Sequence, residues 1–154
     1  MGIEIERKFL ITNNGWKKGA KYSTCRQGYI FAEKKGVVRI RVIDQIGFVT
    51  IKSAPVGLTR QEYEYEIPLA DANAMLEDLC DKYIVEKKRY KIKFGNHVWE
   101  IDEFTGHNEG LVLAEIELSN ENETFKPPPW IGEEVSLDPK YHNSNLSKYP
   151  FNQW

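Results

Sequence analysis

Glu4-Ile5-Glu6-Arg7-Lys8, running straight into the apolar Phe9-Leu10-Ile11, is the stretch that decides how this chain folds. Successive side chains of a β-strand point to opposite faces, so Glu4, Glu6 and Lys8 share one face and Ile5, Arg7 and Phe9 the other. Two rises of ~3.3 Å put Glu4 and Glu6 about 7 Å apart, where they repel unless something positive lies between them. A divalent cation is the economical candidate, because hard ions such as magnesium take carboxylate oxygen.

The same period of two recurs along most of the chain. Segments 3–11, 28–33, 37–43, 47–53, 61–68, 85–94, 97–104 and 111–118 read as strands, separated by turn signals at Lys35-Gly36, Ile46-Gly47 and Phe94-Gly95-Asn96. The last of these joins 85–94 to 97–104 as a hairpin. From Ala70 to Leu79 the spacing is helical, with Leu69, Ala72, Leu76 and Leu79 near one face and Asp71 placed to cap. A short helix is expected after Ser119, stopped by Pro127-Pro128-Pro129, and a further helical turn around Ile131 to Val135. Asp138 to Trp154, rich in Asn, Pro and aromatics, reads as packed irregular structure. Roughly eight antiparallel strands with a few flanking helices make the fold class α+β, mainly β, a barrel or a curled sheet, in one domain over residues 1–154.

Composition narrows the function. A net charge of −2 with 41% hydrophobic and 29% charged residues is ordinary for a globular protein and does not advertise nucleic-acid binding. No apolar run approaches the ~18 residues of a membrane span, and no charged leader with an apolar stretch opens the chain, so the expected location is the cytoplasm. Cys25 and Cys80 lack metal or redox spacing and read as reduced thiols; His97, His107 and His142 lack ligand spacing and read as surface or turn residues. There is no GxxxxGK[ST] loop and hence no ordinary P-loop.

The charges carry the chemistry. Arg39 and Arg41 share a face, with Val38, Ile40 and Val42 opposite; Glu62, Glu64 and Glu66 share another, with Tyr63, Tyr65 and Ile67 opposite. Lys87 with Arg89, Glu100 with Asp102, and Glu115 with Glu117 repeat the pattern, and Lys52 lies on the same side as Thr50. Any one strand could be a solvated amphipathic face. Solvent faces tend to mix signs, however, because like charges at i and i+2 or across a ladder are unfavourable. Here strand after strand keeps one sign and a clean apolar back. A sheet closed with its charged face inward makes a polar tunnel, with acids to hold metal and bases to hold a highly charged anion. Lys8, Arg39, Arg41, Lys52, Lys87 and Arg89 overmatch a single phosphate and suit a linear triphosphate with magnesium. Nucleic acid would need an outward basic stripe, which interleaved acidic strands oppose.

These residues resemble the CYTH superfamily of triphosphate tunnel metalloenzymes. Glu4-Ile5-Glu6-Arg7-Lys8 matches its ExExK signature. Val38-Arg39-Ile40-Arg41, Thr50-Ile51-Lys52, Glu62-Tyr63-Glu64-Tyr65-Glu66, Lys87-Lys88-Arg89-Tyr90, Glu100-Ile101-Asp102-Glu103 and Glu115-Ile116-Glu117 follow in order. The resemblance implies a closed eight-stranded antiparallel β-barrel, a tunnel that hydrolyses triphosphate compounds with magnesium or manganese. By position, Glu4, Glu6 and Glu117 would be metal ligands, with Glu62, Glu64, Asp102 and Glu115 nearby; Lys8, Arg39, Arg41, Lys52 and Arg89 would clamp phosphate. Lys87 and Tyr29 match a lysine and tyrosine that help activate water in short bacterial members, although Tyr29 also reads as a barrel-packing aromatic. Lys148 is expected at the tunnel mouth. The compact length resembles the bacterial inorganic triphosphatases, so the expected partner is a small triphosphate, cleaved to pyrophosphate and phosphate. The rivals are a class IV-type adenylate cyclase, a thiamine or nucleoside triphosphatase, and a polyphosphate-binding module without turnover. A homodimer is compatible with the sequence.

Overall fold

Strand β1 (Gly2–Ile11) is paired along both edges, and those pairings close the sheet on itself. In the computed structural model, which describes residues 2–154, it is followed by β2 (Tyr22–Glu33), β3 (Gly36–Ile43), β4 (Ile46–Ser53) and β5 (Thr59–Ile67). Helix α1 (Leu69–Asp78) leads to β6 (Val85–Phe94), β7 (His97–Thr105), β8 (Val112–Glu117) and the short β9 (Ile131–Glu134); a four-residue helix α2 (Asn143–Leu146) lies in the tail. The strand order is β5-β4-β3-β2-β6-β7-β8-β1, all antiparallel, and a further β1–β5 pairing makes it a closed eight-stranded barrel. One edge of β1 meets β8, with Glu6 opposite Glu117 and Lys8 opposite Glu115. The other meets β5 first, with Glu4 opposite Arg60, and then β9, with Phe9 opposite Glu134.

The apolar backs of the strands need cover, and the segments between strands supply it. Ile5, Phe9, Trp99, Ile101, Ala114 and Ile116 face outward under Trp16, Phe125 and Trp130. Trp99 is wholly buried, edge-on to Phe9, Phe125 and Trp130 at centroid distances of 5.6, 5.4 and 5.7 Å. Helix α1 seats Ala72 and Leu76 on Ile40 and Val42. It comes so close that a Cβ on Gly47 would lie 2.7 Å from that of Ala72. Glycine is required there to admit the helix.

At one end the inward face changes character. Val85, Phe104 and Leu113, each in step with the charged rows, are buried with Leu111 against Val135 and Leu146 of the tail, and Leu10 packs beside them. The lumen therefore ends on an apolar plug instead of opening through.

Four local expectations change. Residues 131–134 form β9, because Lys8 O accepts from Val135 N and Trp130 O from Thr12 N, pairings that a helical turn could not make. The stretch after Ser119 is a turn, in which Glu123 takes the Ser119 amide and Asn120 the Asn122 amide. The β3–β4 turn falls at Asp44-Gln45, with Asp44 at φ +51°, which Asp tolerates, so Gly47 lies inside β4. Pro68, not Asp71, occupies the N-cap of α1, with no side-chain cap bond.

Gly47→Val is expected to lower stability by about 1–3 kcal/mol through overpacking against α1. A lower urea midpoint with an unchanged slope would report it.

Candidate active site

Because the barrel closes with odd residues of β1 outward, Glu4, Glu6 and Lys8 turn inward, and register carries the other charged rows in with them. Glu4, Glu6, Lys8, Tyr29, Arg39, Arg41, Lys52, Glu62, Glu64, Lys87, Arg89, Glu115 and Glu117 all line one cavity of about 510 Å³. Arg39, Arg41, Lys8 and Lys87 are each less than a tenth exposed.

The deepest interaction is at Asp102, which is fully buried on β7. Arg89 grips it two-pronged, Nε to Oδ1 at 2.7 Å and Nη2 to Oδ2 at 2.9 Å, and Lys87 Nζ lies 2.8 Å from Oδ2. Burial pushes this carboxyl up, but Arg89 and Lys87 outweigh it and hold the pKa down at about 2. Burial also lowers Lys87, to about 8; Arg89 and Arg41 add to that, and Asp102 only partly offsets it. Nearer β1, Lys52 Nζ sits 3.0 Å from Glu4 and 3.3 Å from Glu62, and Lys8 lies 3.8 Å from Glu115. Arg39 Nη2 donates to Thr50 and Glu64, while the Thr50 hydroxyl donates to Glu64 at 2.6 Å.

Two kinds of charge are left over. Arg41 uses only Nε, donated to Gln27 Oε1 at 3.0 Å, and burial with neighbouring Arg39 and Arg89 lowers its pKa to about 10. Arg39 Nε is buried without a partner among the described residues. A buried guanidinium among like charges is a place for an anion. The paired acids are Glu4, Glu62, Glu64, Glu100, Asp102 and Glu115; Glu6 and Glu117, opposite each other, stand outside these pairs. Burial, then Glu115 and Glu4, push Glu6 well above the usual carboxylate range. Such crowded carboxylates suit a hard divalent cation in chemistry. Among the described residues no three His, Cys, Asp or Glu converge tightly enough to grip one as arranged. Lys52 holds Glu4 and would have to release it.

Several expectations need revision. Asp102 does not line the cavity; its oxygens are taken up by Arg89 and Lys87, so it holds bases in place and is not positioned as a metal ligand. Lys148 lies elsewhere, donating to Ala32 O at 2.8 Å. His142 does line the cavity, and burial with the nearby charge of Lys8 lowers its pKa from the usual imidazole value. The sequence reading also missed Gln27, Arg60, Ser136 and Asn143. Arg60 lies on the inward row of β5 and carried a signal; the others are neutral and carried none. Asn143 Oδ1 accepts from Lys87 Nζ at 3.0 Å, and Lys8 Nζ donates to Tyr141 O at 3.2 Å, so the tail forms part of the cavity wall.

A closed barrel that lines a blind lumen with both acids and bases defines a charged-tunnel domain. The chain belongs to the CYTH domain family, whose model matches residues 2–150. It is 54% identical over 151 residues to an inorganic triphosphatase of Acetivibrio thermocellus, covering 98% of this chain and 97% of that one. To an inorganic triphosphatase of Nitrosomonas europaea it is 38% identical over 149 residues, covering 94% and 96%. Among solved structures, that of the inorganic triphosphatase NE1496 superposes with a TM-score of 0.68 at 34% identity, covering 94% of this chain and 93% of the other. The PH1012 protein of Pyrococcus horikoshii OT3 (TM-score 0.60, 22% identity, 77% and 80% covered) shares the fold.

Asp102→Asn would leave Lys87 and Arg89 buried without their counter-charge, and should destabilise the protein by about 3–5 kcal/mol at neutral pH. The folded pKa of about 2 lies below the unfolded value, so this stabilisation is complete above about pH 4 and lost as pH falls through 2. Urea midpoints of the two proteins should therefore converge as pH falls from 4 to 2.

Proposed function

We infer that this chain is an inorganic triphosphatase, hydrolysing triphosphate to pyrophosphate and phosphate inside its barrel. The observation that carries this is the incompletely neutralised set of buried bases, Arg39 and Arg41 above all, facing the same 510 Å³ lumen as Glu6 and Glu117, which make no ion pair among the described residues. A linear triphosphate is long and charged enough to engage Lys8, Arg39, Arg41, Lys52 and Arg89 together. Its relatives in Acetivibrio thermocellus and Nitrosomonas europaea, each named an inorganic triphosphatase, support the reading.

Tyr29 and His142 are the only aromatic side chains lining the cavity among the described residues. Trp16, Trp99 and Trp130 are buried in the outer cluster, and Trp154 packs on Tyr141 and Phe151. The cyclase and thiamine triphosphatase readings thus lack a stacking platform.

Glu4, Glu6 and Glu117, with Glu62 and Glu64 nearby, would hold magnesium or manganese, which supplies charge neutralisation and polarises phosphate oxygens. The residues of the chain do the rest. Arg39 and Arg41 take up negative charge that develops on the leaving pyrophosphate. Lys87, held by Asp102 and Asn143 and partly neutral near pH 8, is placed to accept a proton from the attacking water. Activity should therefore rise with pH and level off above about 8.

Phosphate release from inorganic triphosphate, ATP and thiamine triphosphate, measured side by side with magnesium, tests the assignment. Release from inorganic triphosphate should dominate, vanish with chelator and fall about 10²–10³-fold in Glu6→Gln and Arg41→Ala, the scale of losing one preorganised electrostatic group. Preference for either organic triphosphate would sink it, and binding without turnover would leave a polyphosphate-binding module.

A further inference from the structure

Gln27 is fully buried on β2, two residues before Tyr29 on the same face, and its amide has contacts at both ends. Oε1 accepts from Arg41 Nε at 3.0 Å. Nε2 donates to the Tyr29 hydroxyl oxygen at 2.9 Å and, more weakly, to Asn143 Oδ1 at 3.4 Å. Asn143 Oδ1 in turn accepts from Lys87.

The direction of every bond in this chain is fixed from one end. A guanidinium has donors and no acceptor, so Gln27 must turn its oxygen to Arg41. Its NH2 then has no choice but to face Tyr29 and Asn143. Flipping the amide would set N–H against N–H at Arg41 and leave two buried oxygens facing at Asn143. Tyr29 oxygen therefore accepts a hydrogen bond from Gln27, and its own O–H must donate elsewhere. Tyr29 is only 3% exposed, it lines the lumen, and its O–H has no acceptor among the described residues.

We propose that Gln27 is a positioning residue that commits the Tyr29 hydroxyl to donate into the lumen, toward a phosphate oxygen, while fixing the guanidinium plane of Arg41. Tyr29 is then a hydrogen-bond donor to the substrate and not a base, which leaves proton acceptance to Lys87. This rests on the triphosphate reading of the lumen.

Glutamate at 27 separates this role from simple packing. Gln27→Glu keeps the shape and keeps an acceptor for Arg41, but it offers the Tyr29 proton a carboxylate on the wall and so turns it away from the lumen. A new negative charge weakens anion binding whatever Tyr29 does, so the readout is a double-mutant cycle. Binding of inorganic triphosphate is measured by calorimetry in EDTA for the unsubstituted protein, Tyr29→Phe, Gln27→Glu and the double variant, with thermal unfolding as a check on folding and magnesium-supported turnover in parallel.

Tyr29→Phe should weaken binding about tenfold when Gln27 is present, the scale of one hydrogen bond to a charged group, and by less than twofold beside Glu at 27. An equal loss in both backgrounds overturns the assignment of Gln27 while leaving the triphosphatase reading intact. If the unsubstituted protein neither binds nor cleaves triphosphate, the reading of the lumen fails and this assignment fails with it. Should Gln27→Glu not fold, Gln27→Met takes its place. A smaller Tyr29→Phe penalty there supports the role, and an unchanged penalty overturns it.

Discussion

Everything inside this barrel depends on one buried carboxylate. Asp102 is the only acid in direct ion pairs with both Arg89 and Lys87 among the described residues, and it does so with no solvent access. Neighbouring strands that each bring two or three like charges inward could not close on water-free space unless the signs compensated across the ladder. The β6–β7 register sets Arg89 opposite Asp102, so pairing the backbone also pairs the charges. Lys52 with Glu4 and Glu62, and Arg39 with Glu64, repeat the principle nearer the mouth. What these pairs leave over among the described residues, Arg41 and the Nε of Arg39 on one side and Glu6 with Glu117 on the other, is what the lumen has to offer a ligand.

Support for that interior comes from parts of the chain with no charge pattern at all. The outer faces of β1, β7 and β8 would be exposed apolar sheet without Trp16, Phe125 and Trp130, and α1 does the same for β3. The tail has two tasks, with Leu146 in the apolar plug and Asn143 against Lys87. Mechanical support and site geometry are therefore not separable in this segment, where a change in packing at Leu146 shifts the carbonyl that holds a lumen base.

Much of this was legible because strand parity and charge are both discrete signals. Arg39 and Arg41 can only share a face, and six such rows in sequence leave few folds to choose from. Parity says which face a side chain takes but not which neighbour it meets, and so Asp102 was read with the metal ligands when the register gives it to Arg89. Neutral residues were silent for the same reason: Gln27 matters through the direction of its hydrogen bonds, which no sequence pattern displays, and β2 was read as starting only at residue 28. Ile131-Gly132-Glu133-Glu134 is too short to alternate visibly, and its strand character comes entirely from the exposed edge of β1. Lys148 lies in an irregular tail where no strand parity fixes its direction, and its amine goes to Ala32 O.

The two-edged pairing of β1 also bears on how the chain reaches this state. Its partners on β5, β8 and β9 lie far along the sequence; the amide of Lys8 bonds the Ser136 hydroxyl across 128 residues. Local hairpins such as β6–β7 can form early, but the seam at β1 closes only after long loops have been brought together, which makes for slow folding. Until that seam shuts, a row of carboxylates and a row of ammonium and guanidinium groups face open water, each bearing like charges on adjacent positions. Salt or free phosphate that screens those rows should then hasten closure, so the same ions that compete for the finished lumen would act as catalysts of its assembly.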